Sequence, residues 1–309
     1  MTFLTLLLAT LIAIPIILYF FFPRFLFIQG RNALRRKGKM TQKIVSVGEL
    51  NWPYLEGGNP QGAPVVMIHG FGGDKDNWSL YAPYLTGQYR LICPDLPGFG
   101  ENDRSIDLDH SIAAQTMRLL SFLDALGIAK CHLGGNSMGG YIALQMAMTN
   151  PERLLSLTLL NNAGVLGPQE SELQKRVAAN ESPLVIRTMA DIDRLMAFVA
   201  FKPRFIPRQF KKVVLEDTAP YAALLDKIFN QIAGDALERP VNDQLGSVST
   251  PTQIIWGRHD RLIDVSCATV LLDGIKTSEL VIFEDVGHVP MIEKPAETAK
   301  HHLAFLAKH

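Results

Sequence analysis

Polar and apolar residues alternate loosely over residues 43–55, and the alternation stops at Gly57-Gly58-Asn59-Pro60. A period of two is typical of a strand with one solvated face, and a cluster of glycine, asparagine and proline is a strong turn signal. This segment is therefore predicted to open the fold as an antiparallel hairpin.

Beyond residue 60, short apolar runs alternate with segments of helical spacing. The run Val65-Val66-Met67-Ile68 is continuously apolar, which is typical of a strand buried on both faces. Similar runs predict strands at residues 90–93, 131–133, 155–160, 252–256 and 279–283. Residues 112–126 have the helical period and stop at Gly127, a residue common just after a helix. Strands that alternate with helices predict a parallel sheet with right-handed crossovers.

The pattern changes between residues 161 and 251, where no convincing buried strand occurs and residues 190–201, 209–216 and 221–233 have helical spacing. We predict a helical cap over residues 162–250, inserted between two halves of one sheet. One stretch of this cap mixes apolar and basic residues, and it either rests on a bilayer or packs the cap onto the core. Its members are Phe198, Phe201, Phe205, Ile206 and Phe210, with Lys202, Arg204, Arg208, Lys211 and Lys212.

From Phe3 to Phe22, all but two threonines and one tyrosine are apolar, and Pro15 is the only helix breaker. This is about the 20 residues that a bilayer core requires. No Lys or Arg precedes the run and no A-x-A site follows it, which argues against a cleaved signal peptide. Residues 1–40 are therefore expected to form one membrane-spanning helix, kinked at Pro15, and a basic juxtamembrane segment.

Basic residues follow this run, whereas none precedes it. The positive-inside rule then predicts a single-pass membrane protein whose C-terminal domain is cytoplasmic, on the inner membrane if the source is bacterial. The basic segment is expected to contact anionic headgroups, the alternative being a solvated linker. Its members are Arg24, Arg31, Arg35, Arg36, Lys37 and Lys39.

Composition excludes some classes of function. Lys plus Arg equals Asp plus Glu, 30 against 30, so no net charge attracts nucleic acid, and we expect no such partner. The three cysteines, Cys93, Cys131 and Cys267, are odd in number and far apart. They are predicted to be buried free thiols in a reducing compartment.

The strongest local motif is Gly135-Asn136-Ser137-Met138-Gly139, a G-x-S-x-G sequence between a predicted strand and a predicted helix. The glycines permit a sharp, strained turn that presents the Ser137 hydroxyl at the sheet edge. A serine of this kind becomes a nucleophile when an imidazole, oriented by a carboxylate, removes its proton. Ser137 is thus the predicted nucleophile.

His288 follows the last predicted strand and Asp260 follows the one before it, which places both at the sheet edge of Ser137. The chain order serine, acid, histidine is the order expected for such a site. Asp264 is the second candidate for the acid, and a turn or helix-cap role is the alternative for Asp260. Other histidines are interpreted as surface residues, namely His110, His301, His302 and His309, or as a strand-interior residue, His132.

An oxyanion intermediate needs two N–H donors. The backbone N–H of Met138, next to the nucleophile, is one candidate, and that of Phe71 in His69-Gly70-Phe71-Gly72 is the other. The glycines of this loop match neither the P-loop nor the dinucleotide-binding spacing. No metal or organic cofactor is expected.

These motifs, with Asp95-Leu96-Pro97-Gly98-Phe99-Gly100, together resemble the α/β hydrolases. The resemblance implies a mostly parallel eight-stranded sheet, helices on both faces and a core of residues 41–161 and 251–309. The N-terminal helix, the Gly-Asn-Ser-Met-Gly-Gly elbow and Ile255-Trp256-Gly257 look most like the membrane-bound monoacylglycerol lipases.

Under that resemblance the chain hydrolyses lipid esters, with Phe71, Met138 and Val289 against the substrate, and acts as a monomer. The elbow also resembles that of C–C bond hydrolases of aromatic catabolism, which stays an alternative. A second alternative, from another class, is an inactive membrane-anchored binding module that reuses the fold.

Overall fold

The computed structural model describes residues 3–309, except for the side chains of residues 3–10 and 12. Eight strands form one sheet in the order β1-β2-β4-β3-β5-β6-β7-β8. β2 is antiparallel to both β1 and β4, and the pairs from β4 to β8 are parallel, which confirms the predicted hairpin and mostly parallel sheet. The strands are β1 Met40–Val47, β2 Leu50–Gly58, β3 Pro64–Ile68, β4 Arg90–Pro94, β5 Cys131–Asn136, β6 Leu154–Leu160, β7 Thr252–Gly257 and β8 Ser278–Phe283.

Helices connect the parallel strands. The predicted helix over residues 112–126 is observed with Ser111 as its N-cap and with Gly127 beyond its end at φ +66°. The helices are α1 Phe3–Phe21, α2 Pro23–Lys37, α3 Ala82–Leu85, α4 Ile112–Ala125, α5 Met138–Thr149, α6 Glu172–Ala178, α7 Met189–Val199, α8 Arg208–Thr218, α9 Ala222–Glu238, α10 Ser266–Gly274, α11 Pro290–Glu293 and α12 Pro295–Leu306.

The sheet separates two apolar cores, because successive side chains of a strand point to opposite faces. Val66 and Ile68 of β3 belong to the core that contains α4 and α5. Val65 and Met67 belong to the core that contains α3 and α12. Burial on both faces explains the continuous apolar run, and it confirms helices on both sides of the sheet.

Four helices, α6 to α9, lie between β6 and β7, in the interval predicted for the cap. Three match the predicted helices, whereas α6 was not predicted. Its signal is a capping box, in which Ser171 accepts from the Gln174 N–H and the Gln174 side chain accepts from the Ser171 N–H. The division into core and cap domains stays a prediction.

The N-terminal segment bends by 104° at Phe22, between the helical stretches Ala13–Phe21 and Pro23–Lys37. Proline disfavours helical backbone in the residue before it and suits the first turn of a helix, which accounts for a break here. Within the part of the chain that the structure describes, no single helix has both the length and the apolarity for a membrane crossing, and the bent pair has them only when taken together. The single spanning helix therefore stays a prediction.

Part of the basic segment is docked on the protein, so it is not merely a solvated linker, and its contact with headgroups stays a prediction. Arg35 is buried and binds both oxygens of Asp76, at 2.6 and 2.5 Å. Arg24 pairs with Glu216 and Asp217 of α8, at 3.0 and 2.7 Å. Helix α2 is thus fixed by ion pairs, while Arg36, Lys37 and Lys39 remain exposed.

Two predicted surface histidines are buried, so that prediction was wrong for His110 and His302. His110 contacts the Ser105 carbonyl, and His302 lies 2.6 Å from the Tyr81 hydroxyl. Burial lowers the pKa of His302 to about 3, so its neutral ring can accept a hydrogen bond from the Tyr81 hydroxyl. His301 and His309 are exposed as predicted, and the three cysteines are free and buried as predicted.

Candidate active site

Ser137 lies on the sharp turn between β5 and α5, with φ 57° and ψ −119°. A non-glycine residue in this region is strained, and such strain persists where the surrounding structure enforces it. A Cβ atom on Gly135 would lie 2.3 Å from the Gly139 carbonyl carbon, and one on Gly139 would lie 2.4 Å from the Ile68 oxygen. The G-x-S-x-G motif is therefore a packing requirement of the turn.

Asp260 and His288 form a buried hydrogen-bonded pair, with 2.8 Å between Asp260 Oδ2 and His288 Nδ1. The other oxygen, Oδ1, accepts from the N–H groups of Leu262 and Ile263 at 2.8 and 3.0 Å. When the proton of the neutral His288 ring is on Nδ1, facing Asp260, the Nε2 atom is free to accept a second proton. Asp264, the second candidate acid, instead accepts from the Ser266 N–H at the start of α10.

Two asparagines hold this pair beside the elbow, a role that sequence reasoning missed. Asn161 Nδ2 donates to Asp260 Oδ2 at 2.7 Å and to the Gly287 carbonyl at 3.2 Å. Asn136 Nδ2 donates to the His288 carbonyl at 3.0 Å. Asn136 ends β5 and Asn161 directly follows β6, so their positions at the carboxyl sheet edge were the available signal.

The loop after β3 approaches the elbow closely, since a Cβ atom on Gly70 would lie 3.1 Å from Ser137 Cβ. His69 fixes this loop: its Nε2 accepts from the Leu96 N–H at 3.1 Å, and its Nδ1 donates to the Gly70 carbonyl at 2.8 Å. Complete burial lowers the pKa of His69, which favours the neutral ring that this pattern requires. The loop places Phe71 against Phe99 and Phe229.

Two cavities meet at Ser137, and both are also lined by Phe71, Leu184 and Leu262. One is almost entirely apolar, with about 760 Å³ of space including its mouth, and extends between α6 and α9 past Met138. The other, of about 1460 Å³ including its mouth, contains His288 and Val289 and is lined by charged as well as apolar side chains; we call it the polar cavity. All six predicted site residues therefore line these cavities or, in the case of Asp260, bind a residue that does.

Comparison with known proteins decides the family. The model for the α/β hydrolase fold matches residues 63–193. Lipase 1 of Psychrobacter immobilis is 36% identical over 82% of this chain and 79% of its own length. The chain belongs to the α/β-hydrolase family.

A monoacylglycerol lipase of Xenopus laevis is similar to this hydrolase as well, with 33% identity over 88% of this chain and 84% of its own length. Among solved structures, a membrane phospholipase A described as a bacterial virulence factor superposes with a TM-score of 0.90. The two share 37% identity, and the match covers 100% of this chain and 99% of that one.

Some charged side chains in the polar cavity of this α/β hydrolase have a partner of opposite charge, and others do not. Asp285 pairs with Lys294 at 2.5 Å. Lys202 and Arg204 reach the same cavity, and within residues 3–309 neither forms an ion pair with a carboxylate. Over the same residues, no cluster of His, Cys, Asp and Glu is arranged to hold a metal ion.

Proposed function

We propose that this α/β hydrolase cleaves lipid esters, monoacylglycerols first, through a triad of Ser137, Asp260 and His288. The observation that carries the proposal is the buried Asp260–His288 pair, whose histidine shares a cavity with the strained Ser137. A neutral imidazole oriented by a carboxylate is the usual base for a serine nucleophile. The similarity to lipases and to monoacylglycerol lipases supports an ester of a lipid.

In the proposed mechanism, His288 Nε2 takes the hydroxyl proton as Ser137 Oγ attacks the ester carbonyl carbon. The backbone N–H groups of Phe71 and Met138 bind the oxyanion that forms on the carbonyl oxygen. Collapse breaks the carbon–oxygen bond, and His288 gives its proton to the leaving alcohol. Water, deprotonated by the same imidazole, then hydrolyses the acyl-enzyme and restores the Ser137 hydroxyl.

The apolar cavity is the proposed site of the acyl chain, and Val177 of α6 lines it without reaching the polar cavity. Val177→Trp should shorten the preferred chain, because each methylene that is displaced from the cavity loses about 0.8 kcal/mol, or roughly fourfold in kcat/KM. The measurement is kcat/KM over a series of monoacylglycerols of increasing chain length.

Ala178→Trp is the matched control, since Ala178 is exposed and lies outside both cavities. Its chain-length profile should equal that of the wild type. Equal profiles for all three proteins would place the acyl chain elsewhere.

The reaction class is tested by offering the purified protein a monoacylglycerol and a short vinylogous diketone. We expect hydrolysis of the ester, whereas preferred cleavage of the diketone would favour a C–C bond hydrolase. Covalent labelling by a fluorophosphonate probe separates both from an inactive binding module. Failure of Ser137 to react with the probe would support the binding module.

A second candidate substrate is a phospholipid. The membrane phospholipase A similar to this chain favours it, and so do Lys202 and Arg204 in the polar cavity, where a phosphate could be bound. Hydrolysis of a lysophospholipid and a monoacylglycerol of the same chain length should be compared. A higher kcat/KM for the lysophospholipid, lost in Lys202→Ala and Arg204→Ala, would replace the first candidate by the second.

We also propose that residues 1–40 attach the protein to a membrane, with the core of residues 41–161 and 251–309 and the cap of 162–250 on its cytoplasmic side. Ile14 and Ile17 are exposed on α1. Replacing both by aspartate should release the full-length chain from membranes, because a carboxylate deep in the bilayer costs about 2.5–3.5 kcal/mol. Sedimentation after a carbonate wash measures the bound fraction.

Ile44→Asp is the control for this experiment, since Ile44 is also exposed but lies on β1. It should leave membrane binding unchanged. Retention of the doubly substituted chain on the membrane would contradict anchoring through α1.

A further inference from the structure

The loop that carries His288 lies directly against the end of α7, where the cap returns toward the core. The His288 N–H donates to the Val199 carbonyl at 2.7 Å. A Cβ atom on Gly287 would lie 2.7 Å from the Val199 oxygen and 2.8 Å from the Phe201 nitrogen. Residues 199–201, which we call the return segment, therefore contact the histidine loop closely through backbone atoms.

Glu293, the last residue of α11, bridges the two sides of this contact. Its Oε1 accepts from the Gly287 N–H at 2.9 Å and lies 3.4 Å from the Val289 nitrogen, on either side of His288. Its Oε2 accepts from the Phe201 N–H at 2.8 Å. One carboxylate thus binds the histidine loop with one oxygen and the return segment with the other.

Glu293 is also unusual in its charge environment. Its neighbour Lys294 pairs with Asp285 and Glu297 instead, and no cation forms a salt bridge with Glu293 within the described residues 3–309. Burial raises the pKa of the Glu293 carboxyl, and the three N–H groups act against that shift. A salt bridge is therefore not the reason that residue 293 is a glutamate.

We propose that Glu293 is a positioning residue that fastens the return segment to the histidine loop, so that His288 faces Ser137 only while this part of the cap is seated. The inference rests on the proposed function, because it assumes His288 as the base. Displacements near 1 Å in such groups cost about 10²-fold in rate, so a clamp at this point controls turnover. The cap then takes part in assembling the site, in addition to enclosing the acyl chain.

Glu293→Gln tests the clamp with little change in volume. The glutamine amide has one oxygen that can still accept a hydrogen bond, but its NH₂ group would face a backbone N–H. The hydrogen bond to either Gly287 or Phe201 is therefore lost, and one side of the clamp opens. We expect kcat per active site to fall about 10- to 100-fold, the factor that corresponds to a lost hydrogen bond to a charged group. KM for a short soluble ester should be unchanged, and Glu284→Gln, at an exposed ion pair with Arg258, should retain wild-type kcat.

A second pair of variants tests the clamp from the cap side. Phe201→Pro removes the N–H group that donates to Glu293, whereas Phe201→Ala keeps it. Both variants lose the ring that stacks on His259, with 4.1 Å between the ring centroids. Ala200 is extended, with φ −113° and ψ 141°, which suits a residue before proline. Phe201→Pro should therefore lower kcat well below that of Phe201→Ala.

All activities are normalised to sites titrated by the fluorophosphonate probe, and Tm is measured for each variant, so that unfolding is separated from misplacement. Three results would each overturn the proposal. They are wild-type kcat per labelled site in Glu293→Gln, a rise in its KM at constant kcat, and equal kcat in the two Phe201 variants. Failure of the wild-type protein to react with the probe would instead contradict the proposed function.

Discussion

Replacing Ser137 by alanine is expected to lower kcat about 10⁶-fold, the loss seen when the nucleophile of a serine triad is removed. The variant keeps the oxyanion donors and both cavities, so it should still bind lipid and retain a small residual rate. The fold should persist, because the Ser137 side chain forms no helix-capping hydrogen bond at the start of α5. Hydrolysis of a monoacylglycerol and probe labelling measure the loss.

Ser121→Ala is a suitable control, since Ser121 is an exposed serine on α4 whose hydroxyl donates to the Met117 carbonyl within its own helix. It should have wild-type activity and labelling. Esterase activity close to that of the wild type in Ser137→Ala would show that another group attacks the ester.

The second large effect is expected from Asp260→Asn, with kcat lowered about 10⁴-fold. The carboxylate accepts from Leu262, Ile263, Asn161 and His288, and an amide places an NH₂ group against one of these donors. The imidazole then loses the partner that keeps its proton on Nδ1 and stabilises its charged form. Single-turnover kinetics with an activated ester measure the rate of acylation directly.

Asp264→Asn provides the comparison, because Asp264 lies four residues on and its carboxylate accepts from the Ser266 N–H instead of binding His288. It should lose little activity. If Asp264→Asn were the more damaging of the two, the acid would have to be reassigned.

The sequence was informative where one local pattern determines one structure. A buried strand, a G-x-S-x-G turn and a helix follow each other along the chain, so β5, Ser137 and α5 were predictable without distant contacts. Because parallel strands end at a common edge, the residues after β7 and β8 also had to lie near Ser137. This reasoning predicted that Asp260 and His288 lie at that edge, near Ser137.

Contacts between distant segments were not predictable in this way. His110 and His302 were predicted to lie at the surface, whereas the His110 N–H donates to Gln231, 121 residues away, and His302 contacts Tyr81, 221 residues away. Glu293 binds backbone N–H groups, and backbone groups leave no signature in the side-chain sequence. The docking of Arg35 on Asp76 likewise depends on a partner 41 residues away.

The contacts of α8 join the N-terminal helices to the cap. Phe210 packs against Tyr19 of α1 and Phe27 of α2, at 6.0 and 6.1 Å between ring centroids, and Arg24 binds the end of the same helix. A helix held in a bilayer changes its tilt with the thickness of that bilayer. With α1 anchored as proposed, a change in its tilt would act on α8, whose last residue, Thr218, lines the cavity that contains His288.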